Sequence, residues 1–215
     1  LVLLTQGNAK EWGIPGAVVI PNPVPDFKTT TVLQRKPHVL CVGSLSHNKG
    51  QDLLIEAWAK IAARHPDWSV HVYGKGDPTP WMALAANRGV AGQVAFHPPV
   101  ADIAAKYQEA SLLVLPSRSE GFGMVLLEAM SFGTPSISFD CPSGPGDILT
   151  DGVDGVLVAP EDTDALAAAM DALIGDQNRR ERLGHQARAS VSRYRIEEIA
   201  ARWDQLFSTL AAGYA

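Results

Sequence analysis

Two carboxylates and a lysine occupy positions from which they could do chemistry together. Glu120 and Glu128 bracket a glycine-bearing turn, Ser119-Glu120-Gly121-Phe122-Gly123, that follows the apolar run Ser111–Pro116 and precedes the alanine-bearing segment Met124–Met130. A buried strand, a loop and a helix in that order put the loop at the carboxyl end of a strand, where open α/β sheets bind ligands. The first amides of such a helix have no intrahelical partner and favour an anion, most often a phosphate. If the helix begins near Gly123, Glu128 sits roughly 8 Å along it. The pair then spans an extended ligand, and carboxylates accept only from donors, so sugar hydroxyls suit them. Taken alone, the spacing is served as well or better by a helix-dipole residue and a solvated helix residue. Lys49 closes a second loop, Gly43–Gly50, that also follows an apolar run. There a glycine lets backbone approach a diphosphate and the lysine adds a point charge, although a solvated lysine at a helix start reads almost as well.

Strands and helices alternate from Pro37 onward, as in a parallel sheet covered on both faces. Strands are expected at 38–42, 69–73, 93–96, 111–116, 135–139 and 155–158, with helices at 51–64, 80–87, 101–110, 124–130, 162–174, 177–192 and 195–211. The loops after Val42, Tyr73, Phe96, Pro116 and Phe139 should all open on one edge. The fold class is therefore α/β, a Rossmann-like parallel sheet with helices on both faces. Residues 1–35 contain two short apolar runs, a Pro-Asn-Pro-Val-Pro stop and a polar connector, and read as the end of another domain and its linker. Residues 36–215 form the main domain.

The totals narrow the function. A chain of 215 residues with 46% apolar residues can bury a sizeable core. Net charge is −5 with no basic block, which argues against nucleic acid as a partner. No apolar run nears the ~20 residues a spanning helix needs. Cys41 and Cys141 lack metal-ligand spacing and suit a reducing, cytoplasmic setting. Asp162-Thr-Asp164 has the form of a metal–nucleotide D-x-D, but it opens an alanine-rich helix, where aspartates cap and favour the dipole.

The run from Ser117 to Pro135 resembles the E-x7-E signature of the retaining glycosyltransferases of family 4, which have the GT-B fold of two Rossmann-like domains facing across a cleft. The run Val19-Ile-Pro-Asn22 is similar to the one that leads into the second domain of these enzymes. The resemblance implies a carboxyl-terminal, donor-binding half that takes a nucleotide diphosphate sugar, most often UDP-linked, with no metal. Lys49, with amides of Phe122, Gly123 and Met124, would hold the diphosphate. Glu120 would bind donor-sugar hydroxyls and, with Lys49, carry catalysis; Glu128 would take the ribose. Gly43, Gly121 and Val125 would line the pocket, as would Gly74 and Lys75 of a lone G-x-G. Backbone near Val100 would receive the base, with His97 a packing residue.

The family usually carries an arginine where this chain has Ser44, and Arg118 is the candidate to compensate. Asp140–Asp147 resembles a run of a bacterial subgroup that builds lipopolysaccharide, exopolysaccharide or lipid-linked oligosaccharides, with Asp147 expected to cap the helix after it. The acceptor, a glycan or lipid-linked chain, and any peripheral membrane contact would belong to the missing amino-terminal domain, toward which the last helix would cross. A non-catalytic nucleotide-binding module and a GT-B sugar-nucleotide epimerase are the rival readings.

Overall fold

A computed structural model describes residues 1–27 and 34–212. Part of the expected connector, residues 28–33, lies outside the described residues.

The sheet has six parallel strands: β3 (Lys36–Val42), β4 (Ser69–Tyr73), β5 (Val94–His97), β6 (Ala110–Leu115), β7 (Ser136–Phe139) and β8 (Val156–Val158). Their order is β5-β4-β3-β6-β7-β8. The chain thus runs outward from β3 to one edge, returns to β6, and runs outward again. The reversal between β3 and β6 is the topological switch point, outside which such sheets open a crevice. All residues of β6 and β7 are buried, as expected of central strands covered on both faces.

The helices are α2 (Gln51–Ala59), α3 (Thr79–Asn87), α4 (Ile103–Glu109), α5 (Met124–Ser131), α6 (Pro145–Ile148), α7 (Thr163–Gly175), α8 (Gln177–Ser190) and α9 (Ile196–Ala212). Two cores result. One joins α2 and α7 to the sheet through Trp58, Leu54, Met170 and Leu173; the other joins α4 and α5 to the opposite face through Tyr107, Leu126, Met130 and Phe132. The expected helix over 51–64 ends at Ala59 and continues as a 3-10 turn at Ala62–Arg64, so Ile61 and Ala62 stay in the core.

The first residues are more ordered than their composition suggests. Two two-residue strands, β1 (Val2–Leu3) and β2 (Val18–Val19), pair in parallel around a short helix, α1 (Gln6–Trp12), that the apolar runs did not reveal. Asp147 does not cap the helix after it. It lies within α6, and its carboxylate accepts from the amides of Gln6 (2.8 Å) and Gly7 (3.3 Å) at the start of α1. A carboxylate at a helix N-terminus is favourable whichever chain segment supplies it.

Helix α9 keeps an apolar stripe in water. Ile199 is buried, whereas Ile196, Phe207 and Leu210 are exposed, and the Trp203 and Phe207 rings meet at a tilt with centroids 5.6 Å apart. Among the described residues, no helix is long and apolar enough to cross a membrane.

Candidate functional site

The crevice at the switch point is walled by the loops after β3 and β6, and side chains lace those loops together. Arg118 N donates to the Asn48 carbonyl at 2.8 Å, Asn48 Nδ2 donates to the Ser119 carbonyl at 3.1 Å, and Ser119 Oγ donates to Asn48 Oδ1 at 2.7 Å. Lys49 ends a 3-10 turn and Gly50 follows it in the left-handed region, φ 67°, so the chain enters α2 at once. Across the crevice, Gly123 leads directly into α5.

This arrangement brings Lys49 Nζ to 2.7 Å from Glu120 Oε1. The Glu120 side chain is only 8% exposed and that of Lys49 27%, so the pair is shielded from water and strengthened accordingly. Beside it opens a cavity of about 310 Å³ lined by Gly43, Lys49, Glu120, Gly121, Phe122, Gly123, Met124 and Val125. Eight of the sequence candidates therefore meet in one place. Val42 at the end of β3, with Leu4 and Asn22 from the first residues, completes the lining; Asn22 ends the run Val19–Asn22, which reads in sequence as a domain connector and not as part of a site.

An adjacent cavity of about 350 Å³ is lined by Leu45, Gly74, Lys75, Gly76, Pro78, Phe96, His97, Pro98 and Pro99. The two adjoin through backbone: a Cβ on Gly74 would stand 1.8 Å from the Gly43 carbonyl oxygen, so only glycine fits there. Val100, expected to receive the base, is not part of this lining and is exposed; the preceding residues 96–99 form the wall instead. A larger groove of about 770 Å³ lies beside α9, between Val24–Phe27 and Phe132, and takes in none of these loop residues.

Glu128 sits inside α5, half-buried, and accepts from Tyr107 Oη at 2.6 Å. Tyr107 is fully buried, and burial, then the neighbouring carboxylate, pushes its phenol well above the usual value. The tyrosine therefore stays a donor that fixes one carboxylate oxygen. Spacing gave no sign of it, because it lies on α4, 21 residues away in sequence. Glu128 does not line the 310 Å³ cavity.

Ser44 is exposed, and its carbonyl accepts from Gln51 Nε2 at 2.9 Å. Gln51 is fully buried and also accepts the Ser46 amide through Oε1, at 3.3 Å, so it shapes the loop. Arg118 is committed away from the crevice. Its guanidinium binds both oxygens of Asp52 (3.0 and 2.6 Å), Glu161 Oε2 (2.8 Å) and the His47 carbonyl (2.6 Å), and it does not line the cavity. The expectation that it compensates for Ser44 meets a guanidinium already paired with Asp52 and Glu161, outside the cavity lining.

His97 is packed among aromatic rings at the wall of the 350 Å³ cavity. It stacks on Tyr73 with centroids 4.4 Å apart, and its Nε2 lies 3.0 Å from His71 Nδ1, whose ring also meets Ser69 Oγ at 3.0 Å. Burial, then the nearby His38, His97, Lys106 and Lys36, pushes His71 down to about 4. A histidine held neutral in the fold binds fewer protons than in the unfolded chain. Its contribution is therefore present above the unfolded value near 6.5 and is lost as the pH falls from there toward 4. Thermal melts at pH 7.5, 6, 5 and 4.5 should show this decline, with a smaller decline in His71→Asn.

The Asp162 and Asp164 carboxylates are in structural use. Asp162 caps α7, accepting from the amides of Asp164 (3.0 Å) and Ala165 (2.8 Å), and Asp164 pairs with Lys60 at 2.7 Å.

The family of glycosyl transferases group 1 matches residues 25–190, which include both loops of the crevice. The chain belongs to that family. It is 32% identical over 99% of its length to an exopolysaccharide phosphotransferase of Streptomyces coelicolor, covering 23% of that protein. It is 30% identical over 77% of its length to an uncharacterized glycosyltransferase of Haemophilus influenzae, covering 47% of it. The chain thus spans about a quarter to about a half of the length of these relatives. Among solved structures, S. aureus TarM in complex with UDP superposes with a TM-score of 0.87 over 96% of this chain and 43% of that one, at 22% identity. Such a likeness carries the fold, a domain of the GT-B architecture.

Proposed function

We propose that this chain is the donor-binding part of a retaining, family 4-type glycosyltransferase. It would move a sugar, a hexose from a UDP-sugar, to a glycan or lipid-linked acceptor in cell-surface polysaccharide synthesis. The observation that carries this reading is the Lys49–Glu120 pair facing the start of α5 across one cavity at the switch point. The ammonium and the first amides of α5 suit a diphosphate, and they offset the charge that develops on the departing nucleotide without a metal. A diphosphate that draws Lys49 toward itself releases Glu120 to accept from sugar hydroxyls. Glu128, oriented by Tyr107, suits the two hydroxyls of a ribose.

Residues 1–35 would close a preceding domain. The apolar stripe of α9 would pack against that domain, which would also bring the acceptor and any contact with the cytoplasmic face of a membrane. On this reading the chain alone binds donor and transfers little or nothing. A non-catalytic nucleotide module and an epimerase are the alternatives. Turnover of a UDP-sugar to its epimer would favour the latter.

Calorimetric titration with UDP, UDP-sugars and GDP, with and without EDTA, tests the reading. Binding of UDP is expected to be indifferent to EDTA and weakened about 10- to 100-fold in Lys49→Ala and in Glu128→Ala, each of which removes a charged hydrogen-bonding group. Absence of binding to any nucleotide would remove it.

A further inference from the structure

We infer that Lys75 is the second cation for the donor's diphosphate and that Arg118 has no part in it. The inference rests on the proposed donor site and specifies how that site handles charge.

Residues lining the two adjoining cavities include two lysines, Lys49 and Lys75. Lys49 is matched one to one by Glu120 at 2.7 Å. That pair brings no net charge, whereas a nucleoside diphosphate carries at least two negative charges. Arg118 is matched twice over, by Asp52 and Glu161. Lys75 is exposed, and its ammonium has no hydrogen-bond or ion-pair partner among the described residues. His97 is held toward its neutral form, by burial first and then by Lys106.

The backbone fixes Lys75 beside the crevice although its side chain is free. Leu45 N donates to the Lys75 carbonyl at 2.8 Å, Gly43 N to the Tyr73 carbonyl at 3.0 Å, and Gly74 N to the His97 carbonyl at 3.1 Å. The loops after β3, β4 and β5 are thereby bonded side by side. A Cβ on Gly74 would lie 3.5 Å from the Ser44 Cα, so Lys75 starts one residue from the point where the β3 loop leaves a position without charge. A four-carbon stem with three rotatable donors reaches a phosphate from there without prior order, which suits an ammonium left in water until ligand arrives.

The test titrates the chain and its Lys75→Gln, Lys49→Gln and Lys75→Gln/Ser44→Arg variants with UDP and with uridine, at low and high salt. UDP affinity should fall about tenfold in Lys75→Gln, at least five times more than uridine affinity falls, and the difference should shrink as salt screens the contact. Ser44→Arg should recover most of the loss, because it returns a cation across the same backbone contact. Equal losses for UDP and uridine, or a UDP affinity within twofold of the parent's while Lys49→Gln has lost it, would overturn this inference alone. A parent chain that binds uridine and UDP equally, or neither, would overturn it together with the proposed donor site.

Discussion

Gly50→Ala is expected to destabilise the fold by about 2–5 kcal/mol and to abolish nucleotide binding in whatever fraction remains folded. Gly50 adopts φ 67°, and an added Cβ would stand 1.9 Å from the Pro116 carbonyl oxygen and 2.8 Å from its carbon. The left-handed conformation costs an alanine about 1–2 kcal/mol. The collision adds a further 1–3 kcal/mol of overpacking, because backbone on both sides cannot swing away as a side chain would. Pro116 directly follows β6 and Gly50 is the N-cap of α2, so relief requires the two walls of the crevice to part. Lys49 and Glu120 sit on those walls and would separate with them. Denaturant melts and UDP titration of the same preparation check both halves of the expectation. A variant that melts like the parent would show that the walls are not in the contact described.

The second large effect is expected at Arg35, far from the crevice. Arg35 is exposed as a residue, but its guanidinium reaches the carbonyls of Tyr107, Ala110, Phe132 and Gly133 and the Thr134 hydroxyl. Burial, then Arg188 and Arg180 nearby, pushes its pKa down to about 10, so it remains charged at neutral pH. No carboxylate is among these partners. The carbonyls at the ends of α4 and α5 supply the negative ends of two helix dipoles instead. Arg35→Ala removes all of these bonds, although Thr134 Oγ1 still donates to the Tyr107 carbonyl and Arg188 to that of Phe132, and should cost about 2–3 kcal/mol, a drop of roughly 5 to 10 °C in Tm for a chain of this size. Arg35→Lys should recover only part, since an ammonium cannot fork between so many oxygens. Donor affinity in the folded protein should stay unchanged, which separates this residue from those of the crevice.

The fold was legible where the chain alternates apolar runs with turn residues, because a parallel sheet buried on both faces leaves that record. It was less legible at α1, whose seven residues bury none of their side chains and so have no apolar face to betray them. The site was legible in part for the same reason. Gly43, Lys49 and residues 120–123 lie on two loops set at strand ends by local sequence, and Met124 and Val125 open the helix that follows the second. The groups that orient the site come from elsewhere: Tyr107 from α4, Gln51 and Asn48 through side-chain bonds, Asp52 and Glu161 on Arg118. Arg118 stood two residues from Glu120 in sequence and looked available. Its partners, 66 and 43 residues away, decide otherwise.

The most direct measurement is the structure of this chain with UDP bound. Diphosphate oxygens should lie about 2.7–3.1 Å from Lys49 Nζ and from the first amides of α5, with the ribose hydroxyls at Glu128 and the base in the cavity walled by residues 96–99. UDP seated in the groove beside α9, or held through a metal at Asp162 and Asp164, would contradict the proposed site.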